Sequence, residues 1–451
     1  MHRSPKVIVT ASVIVIGIAR RVLSGAMASR QKVAAELKHA LSAFQHRDFT
    51  IFWSGALISN IGSWLQNLTV PFVIYALTGS AFWVGAATAA QFLPGFILSP
   101  YGGHLADIRE RRIVIITVQS LMGLVALLLW WSWIAGIRSV ALLLVITAAT
   151  GLLQGINLPS WQAFVNDLVP REELISAVSL NSLQFNAARS IGPALAGLII
   201  AVFGPGWAFG LNVASYVVVV LALVEVRSRS HAITADQRPT RFVDGFVEAV
   251  RYVPSQPGIA LVIWTVAAIG LLATPVFSFT VVFAHDVYGV GPLQLGLLSA
   301  AFGVGAVLAV PFVVRAKHNS GLAAIMRAGL FVEGVAIVAF GLAPGVVTGA
   351  LCLVGVGFGF LLAISAGNTA LHLIVAQRLR GRVMALRLMT YMVSATVGAL
   401  IEGWLVDLYG PRAAMVGIGL VFLAAVSFLL TPRGGRALAR IDDPEDLVAR
   451  A

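Results

Sequence analysis

Ile191-Gly192-Pro193-Ala194-Leu195-Ala196-Gly197, with Gly204-Pro205 just beyond it, returns as Val397-Gly398-Ala399-Leu400-Ile401-Glu402-Gly403 with Gly410-Pro411, at a constant offset of 206 residues. Each copy closes a long, mostly apolar stretch, so the chain is built from two related halves. Upstream, Arg171 and Ala177 match Arg378 and Ala385 within one or two residues of that offset. Gly151-x-x-x-Gly155 likewise matches Gly355-x-x-x-Gly359, at an offset of 204. A single glycine pair recurs by chance; several registered pairs flanking the same pattern do not. Small residues at such spacing let helices approach closely within a bilayer. Gly192, Pro193, Gly197, Gly398 and Gly403 therefore read as helix-packing positions.

Composition points the same way. Of 451 residues, 59% are hydrophobic and 11% charged, whereas soluble domains carry about 25% charged residues. Disorder is excluded by the same apolar content. Crossing about 30 Å of hydrocarbon takes roughly 20 apolar residues in a helix. Twelve stretches qualify: 51–76, 81–103, 113–135, 139–161, 176–203, 206–226, 259–283, 293–314, 321–343, 346–369, 383–406 and 412–430. They are numbered spans 1 to 12 below. The predicted fold is all-α, with twelve membrane helices in two six-helix halves, residues 49–226 and 258–430. Spans 5 and 11 are the most polar, holding Asn181, Asn186 and Arg189, then Arg387 and Glu402.

The net charge of +12 resolves into topology. Arg138 and Arg412 lie in loops on one side, Arg189, Arg327 and Arg387 lie within spans, and the other 26 of 31 Lys and Arg residues fall on the opposite side. The positive-inside rule places that side, with both termini, in the cytoplasm. No nucleic-acid footprint is left over. Residues 227–257 form the one long connection, a cytoplasmic linker. Its Phe242, Phe246 and Val250 recur at helical spacing beside Asp244, Glu248 and Arg251. They predict either a short amphipathic helix on the membrane face or a solvated linker. The tail, 431–451, is also cytoplasmic. Within the N-terminal segment, 1–48, the apolar run Val7 to Ala19 is too short to span. Either translation starts near Met27, or this run is a peripheral helix.

Three stretches carry a family likeness. One is Arg47-Asp48-Phe49, Phe52-Trp53, Ile58-Ser59-Asn60-Ile61-Gly62-Ser63-Trp64-Leu65-Gln66 and Leu77-Thr78-Gly79-Ser80. Another is Gly103-His104-Leu105-Ala106-Asp107 with Arg111-Arg112. The last is Leu180-Asn181-Ser182, Phe185-Asn186-x-x-Arg189, Ile191-Gly192-Pro193-x-x-x-Gly197 and Leu211-Asn212. Over about residues 42–430 the chain resembles major facilitator superfamily transporters, in the exporter branch of enterobactin-exporter-like, transmembrane secretion effector proteins. A parallel repeat of six-helix halves is that superfamily's architecture. The likeness implies a gating loop at Gly103, Asp107, Arg111 and Arg112, with a plain topology loop as the alternative. Ile108 and Glu110 depart from the superfamily's loop pattern, and the matching loop Arg315 to Ser320 holds no acidic residue.

Charges inside spans are costly and so mark function. Glu402, Glu333 and Arg189 are the proton or charge candidates. For Glu402 the alternative is an interhelical hydrogen bond, for Glu333 a protonated, hydrogen-bonded group on a peripheral helix, and for Arg189 snorkelling to the interface. Arg387 reads as a gate or a snorkel. Asn60, Asn67, Gln91, Gln154, Asn157, Asn181, Asn186 and Asn368 are cavity candidates, and each reads equally well as helix glue. Trp64 and Phe185 offer an apolar binding face, whereas other tryptophans suit interfacial belts.

Cys352 is the sole cysteine, and His104, His285 and His372 are scattered. No metal or cofactor is expected, and no enzyme chemistry. His285-Asp286 reads as a solvated loop pair. No Gly is followed by Lys, so no phosphate-binding loop of an ATPase occurs. The expected function is secondary, proton-coupled export of small amphiphilic molecules by a monomer surrounded by lipid. An uptake permease or lipid flippase is the alternative of the same fold, and a non-transporting receptor the alternative of another class.

Overall fold

A computed structural model describes residues 41–227, 242–316, 321–377 and 379–442. The N-terminal run with Met27 lies outside the described residues. Among those described, the regular structure is helical throughout. Spans 1 to 6 are Arg47–Thr78, Ala81–Ile108, Arg111–Ile134, Val140–Asp167, Leu174–Phe203 and Pro205–Glu225. Spans 7 to 12 are Pro257–Val287, Pro292–Ala316, Leu322–Leu342, Val346–Ile374, Arg380–Tyr409 and Pro411–Ser427. Ten of these helices are long and apolar enough to cross a membrane, and Pro411–Ser427 is a shorter apolar one. Span 1 has 32 residues, or about 48 Å at 1.5 Å per residue. Asn60, Gln66 and Asn67 interrupt its apolar run. Several helices run past the expected ends, span 4 to Asp167 and span 10 to Ile374. Hydropathy marks only the lipid-immersed part, whereas backbone hydrogen bonding carries on into the loops.

All connections fall at two ends of the bundle. One end, called the linker end, carries the linker helix Phe242–Ser255 and the tail helix Pro432–Asp442. The linker helix is packed rather than solvated. Ala249 and Val253 are buried, and Glu248 forms an ion pair with Arg382 of span 11. At the far end the repeated Gly-Pro pairs make tight corners. Gly204 and Gly410 adopt φ of 86° and 80°, open to glycine at little cost. Pro205 and Pro411 then start the next helices, where a missing N–H leaves nothing unsatisfied.

Glycine contacts join the halves with pseudo-symmetry. Gly192 of span 5 packs on Trp64 of span 1, whereas Gly398 of span 11 packs on Leu271 of span 7. Gly197 of span 5 packs on Gly296 of span 8, whereas Gly403 of span 11 packs on Ala81 of span 2. The first glycine of each copy thus meets its own half's first helix, and the second meets the opposite half's second helix. The Gly151/Gly355 match does not share this property. Gly151 packs on span 2, but Gly355 and Gly359 pack on span 9. Gly357, at the 206 offset, instead meets Phe302 of span 8. A two-residue slip turns a helix by about 200° and presents a different face.

A Cβ at Gly403 would stand 2.7 Å from the Ala81 carbonyl oxygen and 2.9 Å from Phe82 Cα, and backbone cannot yield as a side chain can. Gly403→Val should destabilise the purified protein by about 1–3 kcal/mol, read as a lower midpoint of thermal unfolding in detergent. Gly417, with open space around it, should tolerate alanine.

Candidate functional site

Between the halves lies a cavity. Span 1 supplies Trp64 and Asn67, span 2 Thr88 and Gln91, span 4 Thr147 and Thr150, and span 5 Arg189. From the second half come Thr274, Phe277 and Ser278 of span 7, Phe302 of span 8, Phe360 of span 10 and Tyr391 of span 11. Span 7 is broken here. Its helix stops at Leu272, a short turn follows at Pro275–Phe277, and helix resumes at Thr280. Pro275 lacks an N–H and clashes with the preceding turn. The freed backbone is tolerated in a membrane because it lines a cavity. Thr274 Oγ1 takes up the slack, 3.1 Å from the Ile269 carbonyl and 3.2 Å from the Tyr391 hydroxyl.

Arg189 is the charged side chain in this wall. Its guanidinium carbon lies 5.2 Å from the Trp64 ring, 5.1 Å from Phe302 and 5.2 Å from Phe360. Cations over aromatic faces are attracted by the ring quadrupole. Its Nε is buried without a hydrogen-bond partner. Gly192, one turn along, brings span 5 against Trp64 and so sets the cage. Toward the linker end the same face of span 5 continues as Phe185, Val178 and Ile175, all exposed, Ile175 by 76%. Trp64 and Phe185 meet edge-on at 6.2 Å. Arg189 therefore turns inward rather than snorkelling.

The far end is closed by contacts across the halves. Asp407 of span 11 caps the start of span 2, accepting from Ser80 Oγ at 2.5 Å, Ala81 N at 2.6 Å and Phe82 N at 3.1 Å. An acid at a helix N-terminus satisfies free N–H groups and the dipole together. The Tyr75 hydroxyl donates to Asp286 of span 7, which also meets His285 Nδ1 at 2.6 Å. Asp286 is thus a bridge between halves, not only the solvated pair the loop suggests. At the linker end, two ion pairs of the described residues lie within the first half, and Glu248–Arg382 ties the linker helix to span 11. Arg111 bonds Asp167 at 2.9 and 3.0 Å, and Arg47 pairs with Glu225.

The other expected residues are placed as follows. Asn67 and Gln91 line the cavity and bond each other at 3.0 Å. Asn60 lies on the Trp64–Asn67 face of span 1, toward the linker end. Asn157 accepts from Gln119 and donates to Gln154 at 3.2 and 3.3 Å, outside the cavity wall. Asn181 accepts from Trp161 at 3.3 Å, and Asn186 donates to the Ser182 carbonyl at 2.9 Å. Asn368 has a buried Oδ1 without a partner. Glu333 is buried behind span 10, against Gly359. Glu402 is also buried, between Gly398 on span 7 and Gly403 on span 2. Neither lines the cavity, and the carboxylate oxygens of both lack partners among the described residues. Arg112 donates to the Leu223 and Val224 carbonyls at 2.8 and 2.6 Å, closing the end of span 6. Gly103 and Asp107 lie in the last turns of span 2, and the Asp107 side chain is outside the described residues.

A family model described as transmembrane secretion effector matches residues 38–440. The chain belongs to this family of major facilitator transporters. Enterobactin exporters are curated relatives. That of Citrobacter koseri is 25% identical over 391 residues, 85% of this chain and 92% of the relative. That of an Escherichia coli strain is 24% identical over the same shares. A bacterial homologue of the human lysosomal transporter Spinster, solved inward-facing and unoccupied, is similar in fold. Its TM-score is 0.65 at 14% identity, covering 89% of this chain and 97% of that one. The nucleoside transporter NupG gives a TM-score of 0.66 at 11% identity, covering 85% and 98%. This transmembrane secretion effector is thus a membrane transporter, as are these relatives and neighbours, not an enzyme.

Sequence reading missed Asp407, Tyr75 and the break at Pro275. The clues were an acid close to a span end, a serine before a helix start and a proline inside a span. Asp407→Ala should loosen the far end. In a Cys352→Ala background, a cysteine replacing Thr147 should react several-fold faster with an impermeant thiol reagent applied to the far side. Unchanged labelling would show that Asp407 does not hold the seal.

Proposed function

We propose that this transmembrane secretion effector is a secondary exporter of small amphiphilic molecules, driven by inward proton movement. It works as a monomer in a bacterial cytoplasmic membrane, with the linker end and both termini inside. The observation that carries this reading is an amphiphilic mid-membrane cavity whose far end is joined across the halves by Asp407 and Asp286, while Arg111–Asp167 and Arg47–Glu225 at the linker end each lie within the first half. Such a molecule loads from the linker end and releases when the far contacts part. The crowding of Lys and Arg at that end supports its cytoplasmic placement. The enterobactin exporters among its relatives support export, and a siderophore-like cargo.

Glu402 is the proposed proton carrier. It lies 11 residues beyond Tyr391, close to three full turns and about 16 Å up the same helix face. When spans 2 and 11 separate, that face continues the cavity wall. A proton taken up there from outside would be released after the far end closes again. Glu333, enclosed behind span 10, is the secondary candidate. Gly103, Asp107, Arg111 and Arg112 are proposed to gate the linker end, with Arg111–Asp167 bracing spans 3 and 4. Among the cavity candidates, Asn67 and Gln91 are proposed to touch substrate. The remaining asparagines and Gln154 are proposed to act in helix packing.

The test is export by purified protein in liposomes under an imposed pH gradient, alongside dye and antibiotic accumulation in cells. Glu402→Gln should lower gradient-driven export at least tenfold while the protein stays folded at normal levels in the membrane. Undiminished export in that variant removes Glu402 from the mechanism.

A further inference from the structure

We infer that the cavity takes a small organic anion, its charge on Arg189 and its flat apolar body in the cage of Trp64, Phe302 and Phe360. This rests on the proposal that the cavity is the transport site, and it names the substrate class. A guanidinium held in mid-membrane is costly to keep without an anion. Among the described residues, no carboxylate forms an ion pair with Arg189. Its three ring contacts are to carbon faces, and its Nε has no acceptor. Guanidinium carries five N–H donors and no acceptor, in a planar fork that matches a carboxylate. The unmet need is thus for an acceptor carrying negative charge, and it faces empty space.

The rest of the wall agrees. Asn67, Gln91, Thr88 and Thr274 offer neutral hydrogen bonding for polar substituents. Among the described residues no Asp or Glu lines the cavity, so an organic cation finds no partner there and is repelled by Arg189. The charge is also off-axis. At the 206 offset from Arg189 stands Ala395, so among the described lining residues the positive charge lies on the first half's side. An anion is thereby held with its charged group toward span 5 and its body toward spans 8 and 10.

The experiment uses the full chain in detergent and three probes of one shape: naphthalene-2-carboxylate, naphthalene-2-carboxamide and 2-naphthylmethylammonium. Calorimetric titration should give the carboxylate at least tenfold tighter binding than the amide, and no measurable binding of the ammonium. Arg189→Gln should abolish the preference for carboxylate over amide, and Arg189→Lys should keep part of it. Phe360→Leu, which leaves the charge in place, should weaken carboxylate and amide alike several-fold. Equal affinity for carboxylate and amide in the unaltered protein overturns the inference without any variant. So does undetectable carboxylate binding at millimolar concentration, or a preference that survives Arg189→Gln. Failure of the exporter reading looks different: the carboxylate binds with the expected preference, yet no substrate crosses liposomes under a pH gradient or a potential.

Discussion

Backbone approaching backbone at glycine is the constraint on which the rest of this molecule depends. Lipid tails are as apolar as leucine, so helices within a membrane gain little by hiding apolar surface from each other. Close packing must supply the adhesion, and it needs small residues at the crossing points. Spans 5 and 11 each carry two such points, one toward their own half and one across to the other. Gly197 on Gly296 and Gly403 on Ala81 hold the halves together. Gly192 on Trp64 does something further, because Trp64 is one wall of the Arg189 cage. The same contact that joins spans 1 and 5 therefore shapes the cavity.

Charge breaks the symmetry that glycine builds. At the 206 offset, Arg189 corresponds to Ala395, Glu402 to Ala196 and Asp407 to Ala201. The backbone frame is duplicated, but each buried or bridging charge occurs in one half alone. A two-fold frame gives two related ways of rocking one half on the other. Unpaired charges make the two end states unequal and give the cavity a direction. Asp407 on the start of span 2 favours the far-closed state, since a carboxylate on three donors is lost when the helices part.

Much of this was legible from residues alone. The twelve spans, the repeat and the cation-rich end follow from hydropathy and charge, which belong to each segment separately. The family likeness rests on motifs of the same local kind. Which polar residues meet in one cavity was not legible. Asn157, Asn181 and Asn186 look as well suited as Asn67 and Gln91, yet the first two bond neighbouring helices and Asn186 bonds a carbonyl of its own helix. The difference is one of rotation, and 100° per residue lets a small shift of phase turn a side chain from cavity to packing face. Gly355 shows the same limit, matching Gly151 in spacing while facing another helix.

Sequence by itself determined that this chain crosses a membrane in two repeated halves, because crossing depends on apolar length and repetition on identity of residues. Tertiary structure alone decided that Arg189 turns inward onto three rings, that Glu402 is shut behind the far seal, and that Asp407 and Asp286 join the halves. Each depends on atoms brought together from helices distant along the chain. In a bilayer such meetings are set by where the glycines allow helices to touch and where Pro275 breaks one.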